Sequence, residues 1–346
     1  GVPVLQLLLF GYAINSDPKS LPTAVVTGEA SPFARSFLAA MRNSAYFNLV
    51  GEAAGEAEAA ALLARGDVQF VVSIPSDFSR RLMRGDRPAL LVEADATDPA
   101  ATSNALGALS ALVGSALARD LTGPLAHLAG EPAGWELRVH RRWNPEGVTA
   151  YNVVPGLMGT ILTMTMVIMT SLGMTRERER GTMENLLAMP VRPAEVMLGK
   201  IIPYIVVGYI QVTVILLAAR YLFGVPMAGS LGLLSLVLVV FIAANLSIGF
   251  TFSTVAANQL QAMQMAFFFF LPSILLSGFM FPYRGMPHWA QSVGEILPLT
   301  HFLRIVRGIM LKGAGWSDIA PEVGPLLLFM LAAMTLALLR YRRTLD

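Results

Sequence analysis

From Tyr221 to Tyr283 the chain carries no Asp, Glu, Lys, Arg or His. One membrane-crossing helix needs roughly 20 apolar residues, so this stretch is too long for a single span. Backbone polar groups inside lipid are satisfied only in helices or closed barrels. The stretch therefore predicts helices that fold back on each other. Its natural hinges are "FGVPMAGS" (Phe223–Ser230) and the amide-rich "AANQLQAMQ" (Ala256–Gln264). Composition agrees: 14% of residues are charged, whereas soluble domains carry about 25%.

Three further stretches read the same way. "VVPGLMGTILTMTMVIMTSLGM" (Val153–Met174) has no ionisable residue and would reach roughly 33 Å as a helix. With the runs from Ile201 and from Val323, spans are expected at about 153–174, 201–222, 231–255, 264–283 and 323–340. The opening "GVPVLQLLLFGYAI", residues 1–14, is apolar but short. We read it as the end of a first span, which makes six. A signal-peptide core is the alternative, but no basic stretch precedes it.

Orientation follows the Lys/Arg bias of short loops. The loop between the 153–174 and 201–222 spans holds Arg176, Arg178, Arg180, Arg192 and Lys200, and the C-terminal tail holds Arg340, Arg342 and Arg343. Both are expected in the cytoplasm, with residues 15–150 and 284–322 outside. The basic residues Arg284, Arg304, Arg307 and Lys312 of the outer segment run against this rule, but Glu295, Asp318 and Glu322 offset them.

Residues 15–150 alternate strand-like and helix-like stretches, which predicts an α/β layer domain. "TAVVTG" and "VQFVVSI" are strand-like. "SPFARSFLAAMRNS" is a helix with Ser31 as N-cap and Pro32 at its first position. Asp98–Leu121 is expected as one long helix. Arg-Gly-Asp occurs at 65–67 and 84–86, each time after a helix and before a strand. Gly there fits the left-handed helix end, so the triplet is structural. No catalytic set is visible: His127 and His140 are isolated, and no serine has His/Asp partners at a recognisable spacing. His288 and His301 lack metal-ligand spacing. The absence of cysteine excludes disulfides, Cys-ligated zinc and a thiol nucleophile. No catalytic, cofactor-binding or metal site is therefore assigned.

The loop "TRERERGTMENLLAMPVRPAEVMLGK" (Thr175–Lys200) is the most organised part of the chain. Alternating Arg176, Glu177, Arg178, Glu179 and Arg180 extend the preceding helix beyond the membrane, since opposite charges three or four apart support a helix by a few tenths of a kcal/mol per pair. Gly181 ends it. Thr182 can cap a new short helix with Glu184 at its electropositive start. Leu186, Leu187 and Met189 give that helix an apolar face, and Pro190 and Pro193 bound it. By pattern alone, residues 181–192 are either a cytoplasmic docking helix or a plain solvated loop.

"ERERGTMENLLAMPVRPAEVMLGK" resembles the signature of type-2 ABC exporter permeases. The match rests on Glu177 to Glu179, Gly181, Thr182, Glu184, Leu186, Leu187, Pro190 and Lys200. A second similarity lies in Phe281–Gly313, at Met286-Pro287, Trp289, Pro298-Leu299-Thr300 and Arg307. "IPSDFSRRL" and "DATDP" are similar to the drug-exporter-like branch with a large extracytoplasmic domain. The family's amphipathic cytoplasmic helix would precede residue 1. The resemblance implies a membrane permease, multi-pass in the bacterial inner membrane, that pairs with a second permease chain and works with a separate ABC ATP-binding subunit. ATP and Mg would be held by that partner. This chain has no Gly-x-x-x-x-Gly-Lys-Ser/Thr phosphate cradle of its own. Residues 181–192 would be the coupling helix. Glu177, Arg178, Glu179, Arg180, Gly181, Thr182, Glu184, Leu186, Leu187, Pro190 and Pro193 would contact the ATPase.

The expected cargo is amphiphilic or drug-like. Apart from Arg220 and Arg340 at span ends, the spans as drawn hold no Asp, Glu, Lys, Arg or His, which speaks against ion coupling. Met164, Asn245, Thr251 and Ser277 are candidate lining residues for a path, although helix packing explains them equally well. Segment 284–322 is amphipathic and proline-broken, as short re-entrant helices would be. The competing reading is a membrane-anchored receptor or assembly factor whose 15–150 domain binds a partner. A membrane enzyme fits least.

Overall fold

The computed structural model describes residues 17–129, 133–180 and 193–340. They fall into two compact units, one made of 17–149 with Arg284–Met286, the other of Ala150–Tyr283 and the chain from Pro287.

The first unit is a five-stranded sheet in the order β2-β1-β3-β4-β5, with β1 Leu21–Thr27, β2 Phe47–Glu52, β3 Phe70–Ile74, β4 Ala89–Asp95 and β5 Glu136–Arg142. All neighbours are parallel except β3 and β4. Helices α1 (Pro32–Asn43), α3 (Phe78–Arg84) and α4 (Pro99–Leu112) share one apolar cluster with the sheet, around Phe37, Phe70, Phe78 and Trp135. Helix α2 (Glu56–Arg65) covers the other face through Ala59 and Leu63, against Ala24 and Val71. Because successive strand residues point to opposite faces, Phe70 and Val72 enter one cluster and Val71 the other.

Local chemistry sets the ends. Ser31 Oγ accepts the Ala34 N–H at 3.1 Å and caps α1. Gly66 and Gly85 sit at φ +82° and +77°, the left-handed conformation that closes α2 and α3. Two details differ from the sequence reading. The long helix expected over 98–121 stops at Leu112 and continues as turns, and β5 is an additional edge strand.

The second unit is a helical bundle. Five helices are long and apolar enough to cross a membrane: α5 (Thr149–Glu179), α6 (Pro193–Tyr221), α7 (Leu231–Val255), α8 (Gln259–Leu276) and α11 (Trp316–Arg340). Between the last two lie the short α9 (His288–Gly294) and α10 (Pro298–Arg307), then a π-type turn, Gly308–Lys312. The expected first span, residues 1–14, lies outside the described residues, as does the coupling helix 181–192.

Helix α7 is central. Gly249 brings it against α5 so closely that a Cβ there would sit 2.7 Å from the Val167 carbonyl oxygen. Gly208 similarly lets α6 approach Ile242, and Thr251 Oγ1 donates to the Ala333 carbonyl of α11 at 3.2 Å. Small residues and hydroxyls at helix contacts are how bundles pack where lipid offers no hydrophobic drive.

Three boundaries differ from expectation, each for a local reason. The 256–264 hinge contracts to 256–258. Asn258 Oδ1 accepts the Gln261 N–H at 2.8 Å while Gln261 Oε1 accepts the Ala257 N–H at 2.7 Å, so α8 starts at Gln259. This reciprocal arrangement is akin to a capping box, and an N-cap of this kind contributes about 1 kcal/mol. The span expected at 264–283 is accordingly the helix Gln259–Leu276. The last span begins at Trp316 rather than 323 and carries Pro321 and Pro325 inside it. Asp318 and Glu322 therefore lie in the first two turns of α11, ahead of the uncharged run from Val323.

Candidate coupling site

Helix α5 runs past its apolar stretch to Glu179, as the alternating charges predict. Its end meets the start of α8. Glu179 Oε1 accepts the backbone N–H of Gln259 at 2.7 Å, and Oε2 accepts the Gln259 side-chain amide. A carboxylate at this position satisfies one of the amides that every helix N-terminus leaves unpaired and faces the positive end of the helix dipole. The two Gln259 bonds hold the Glu179 carboxyl below its ordinary pKa. Gln259 is the partner the sequence reading missed. The signal was present in the amide-rich stretch, but that stretch was read as hinge.

Of the other expected coupling residues, Glu177 is half-buried and Arg180 exposed at the same helix end. Arg178 lies in α5, and Pro193 opens α6. Gly181, Thr182, Glu184, Leu186, Leu187 and Pro190 lie outside the described residues. The segment 181–192 is thus bracketed by the ends of α5 and α6, with Glu179 tying its near end to α8.

The four candidate path residues differ in burial and partners. Met164 is exposed on α5, whereas Asn245 is enclosed in α7 with its amide on the Phe241 carbonyl at 2.9 Å. Thr251 bonds to α11, and Ser277 is buried just after α8.

A second ionic cluster occupies the other end of α8 and the start of α11. Arg304 on α10 donates to Glu295 at 2.5 Å and to Glu322 on α11 at 3.1 Å. His301, one turn earlier on α10, is buried. Its Nδ1 lies 2.5 Å from Glu322 Oε2 and its Nε2 2.8 Å from the Glu295 carbonyl oxygen. Tyr283 donates to Glu295 at 2.6 Å, and its ring lies under the Arg304 guanidinium at 4.6 Å. Burial opposes charge on Glu295, but Arg304 and Tyr283 outweigh it and hold that carboxyl below its usual range. Burial, and then Glu295, push the Tyr283 phenol upward. No group of three or more His, Asp or Glu suited to a metal occurs among the described residues.

A bundle of five helices long and apolar enough to cross a membrane, preceded by an α/β unit, marks a multi-pass membrane protein. Residues 1–339 match the family described as ABC-2 family transporter protein, and the chain belongs to that family. It is 31% identical to the probable multidrug ABC transporter permease YbhS of Escherichia coli (strain K12), over 100% of this chain and 91% of the relative. Identity is also 31% to the inner membrane transport permease YhhJ of the same organism, over 81% and 75% of the two chains. The linearmycin resistance permease protein LnrN of Bacillus subtilis (strain 168) is 25% identical, over 97% and 91%. The chain is a membrane permease of an ABC transporter.

Proposed function

We propose that this permease exports amphiphilic or drug-like molecules, driven by ATP hydrolysed in a separate nucleotide-binding subunit. The family match across residues 1–339 carries the reading, and the names of the relatives, multidrug and linearmycin resistance permeases, favour drug-like cargo. Two permease chains, identical or related, would stand on two ATPase subunits, with residues 15–150 outside the cell and the C-terminus in the cytoplasm. ATP and Mg would bind the partner.

Closure of the ATPase subunits would push on residues 181–192. The push reaches α5 and α6 directly because those helices flank the segment. It reaches α8 through Glu179, whose carboxylate holds the Gln259 amides. The helices would then change between two packed arrangements, since close-packed interfaces switch rather than bend continuously. Arg180 and Glu184 would face the motor.

Purification with bound subunits followed by an ATPase assay tests this. An ATP-binding subunit should co-purify, and its hydrolysis should rise with the permease present and fall severalfold with Arg180→Ala and Glu184→Ala together. Stimulation and export that are both unchanged in the double variant would remove the coupling role.

A further inference from the structure

The geometry points to His301 as a proton-binding site that latches α9 and α10 to α11. Its two ring nitrogens face acceptors that cannot donate, the Glu322 carboxylate at Nδ1 and the Glu295 carbonyl at Nε2. A neutral imidazole has only one N–H, so both bonds form only in the imidazolium. With His301 charged, the cluster balances: two cations, His301 and Arg304, against two carboxylates, Glu295 and Glu322. Burial alone would favour neutral histidine. The bonds to Glu322 and to the Glu295 carbonyl outweigh it and hold the pKa above the usual histidine value, although Arg304 works in the opposite sense.

Helices α7 and α8 supply no charged group. On α11, Asp318 is turned away to the Gly315 N–H at 2.9 Å, leaving Glu322. The end of α9 supplies Glu295, the turn before it Tyr283, and α10 itself Arg304. Loss of the His301 proton therefore puts a bare lone pair against an acceptor and leaves the cluster with one excess negative charge. The ionic part of the bridge from α10 to α11 then rests on Arg304 alone, beside the apolar contacts of Leu303 and Val306 with the cluster that holds Ile319 and Val323.

The sign follows. Because binding raises the histidine pKa in the folded chain, the latch is complete below about 6.5, the ordinary value, and is lost as pH rises through the raised one. Basic conditions should free α9 and α10. His301 needs no ATPase partner to titrate, so this result and the coupling result can fail separately.

The chain has no cysteine, so one introduced at exposed Val293 on α9 is a unique attachment point for a nitroxide. Labelled full-length Val293→Cys permease in lipid nanodiscs, followed by electron paramagnetic resonance from roughly pH 6 to 9.5, should show a mobile component that grows at least about threefold with rising pH. Glu322→Gln, which keeps an acceptor but removes its charge, should lower the midpoint by about one unit. His301→Gln should be mobile throughout. Exposed His288→Gln, the nearest other histidine on α9, should leave the midpoint in place. A wild-type spectrum that does not change with pH, or a midpoint that Glu322→Gln leaves unmoved, would overturn the latch; the second criterion holds even if His301→Gln does not fold.

Discussion

The two ionic clusters of the helical unit are built from similar groups and behave differently. Glu179 meets Gln259 in an exposed site, with one charged group and two hydrogen bonds. At the His301 cluster, four charged groups and a tyrosine join α9, α10 and α11, with the imidazole enclosed. Water competes for the first and screens it, so its energy is small and its geometry can be made and broken by a partner. Around the second, Glu295, Arg304 and Glu322 are partly exposed but the His301 ring is enclosed, so removing Glu322 leaves a buried charge uncompensated. One cluster is suited to movement, the other to holding.

The largest expected effect lies at the holding end. Glu322→Ala strips His301 and Arg304 of a shared acceptor and should cost about 3 kcal/mol, read as a fall in the thermal midpoint of the detergent-solubilised chain. Next comes Arg304→Lys. The guanidinium reaches Glu295 and Glu322 through separate nitrogens, which a single ammonium cannot do, so a loss of about 1–2 kcal/mol is expected in the same assay. A drop as large for Glu179→Gln would erase the contrast. That variant replaces one acceptor oxygen with an amide facing the Gln259 amide. It should leave the thermal midpoint unchanged and still lower permease-stimulated ATP hydrolysis severalfold.

The smallest effect is a null one. The Glu179 carboxyl is held below its ordinary pKa, so its clamp is complete above that value and is lost only as pH falls through the lowered one. Coupling should therefore not change over roughly pH 6 to 9, whereas the His301 latch loosens as pH rises through the raised histidine value.

Much of this was readable in the chain itself. The uncharged run Tyr221–Tyr283 forces helices that fold back, and Ser31, Gly66 and Gly85 mark helix ends by side-chain or backbone chemistry that needs no tertiary context. The extension of α5 to Glu179 follows from its own alternating charges. The His301 cluster did not show, because its members lie on different elements and meet only when α10 packs against α11. The start of α11 was hidden as well: the expected span began at the uncharged run from Val323, yet the helix starts at Trp316 and runs through Pro321 and Pro325, which brings Glu322 onto α11. Asn258 and Gln261 were misleading: amides that resemble a loop in composition serve as a helix cap.

The two ends should also face opposite sides of the membrane, the Glu179 end toward the ATPase and the α9–α10 end away from it. Single cysteines at Arg180 and at Val293, probed in intact cells with a membrane-impermeant maleimide, test this directly. The account predicts that Val293→Cys is labelled from outside and Arg180→Cys only after permeabilisation. Labelling of Arg180→Cys in intact cells would contradict it, since no cytoplasmic motor could then reach the segment that begins at Gly181.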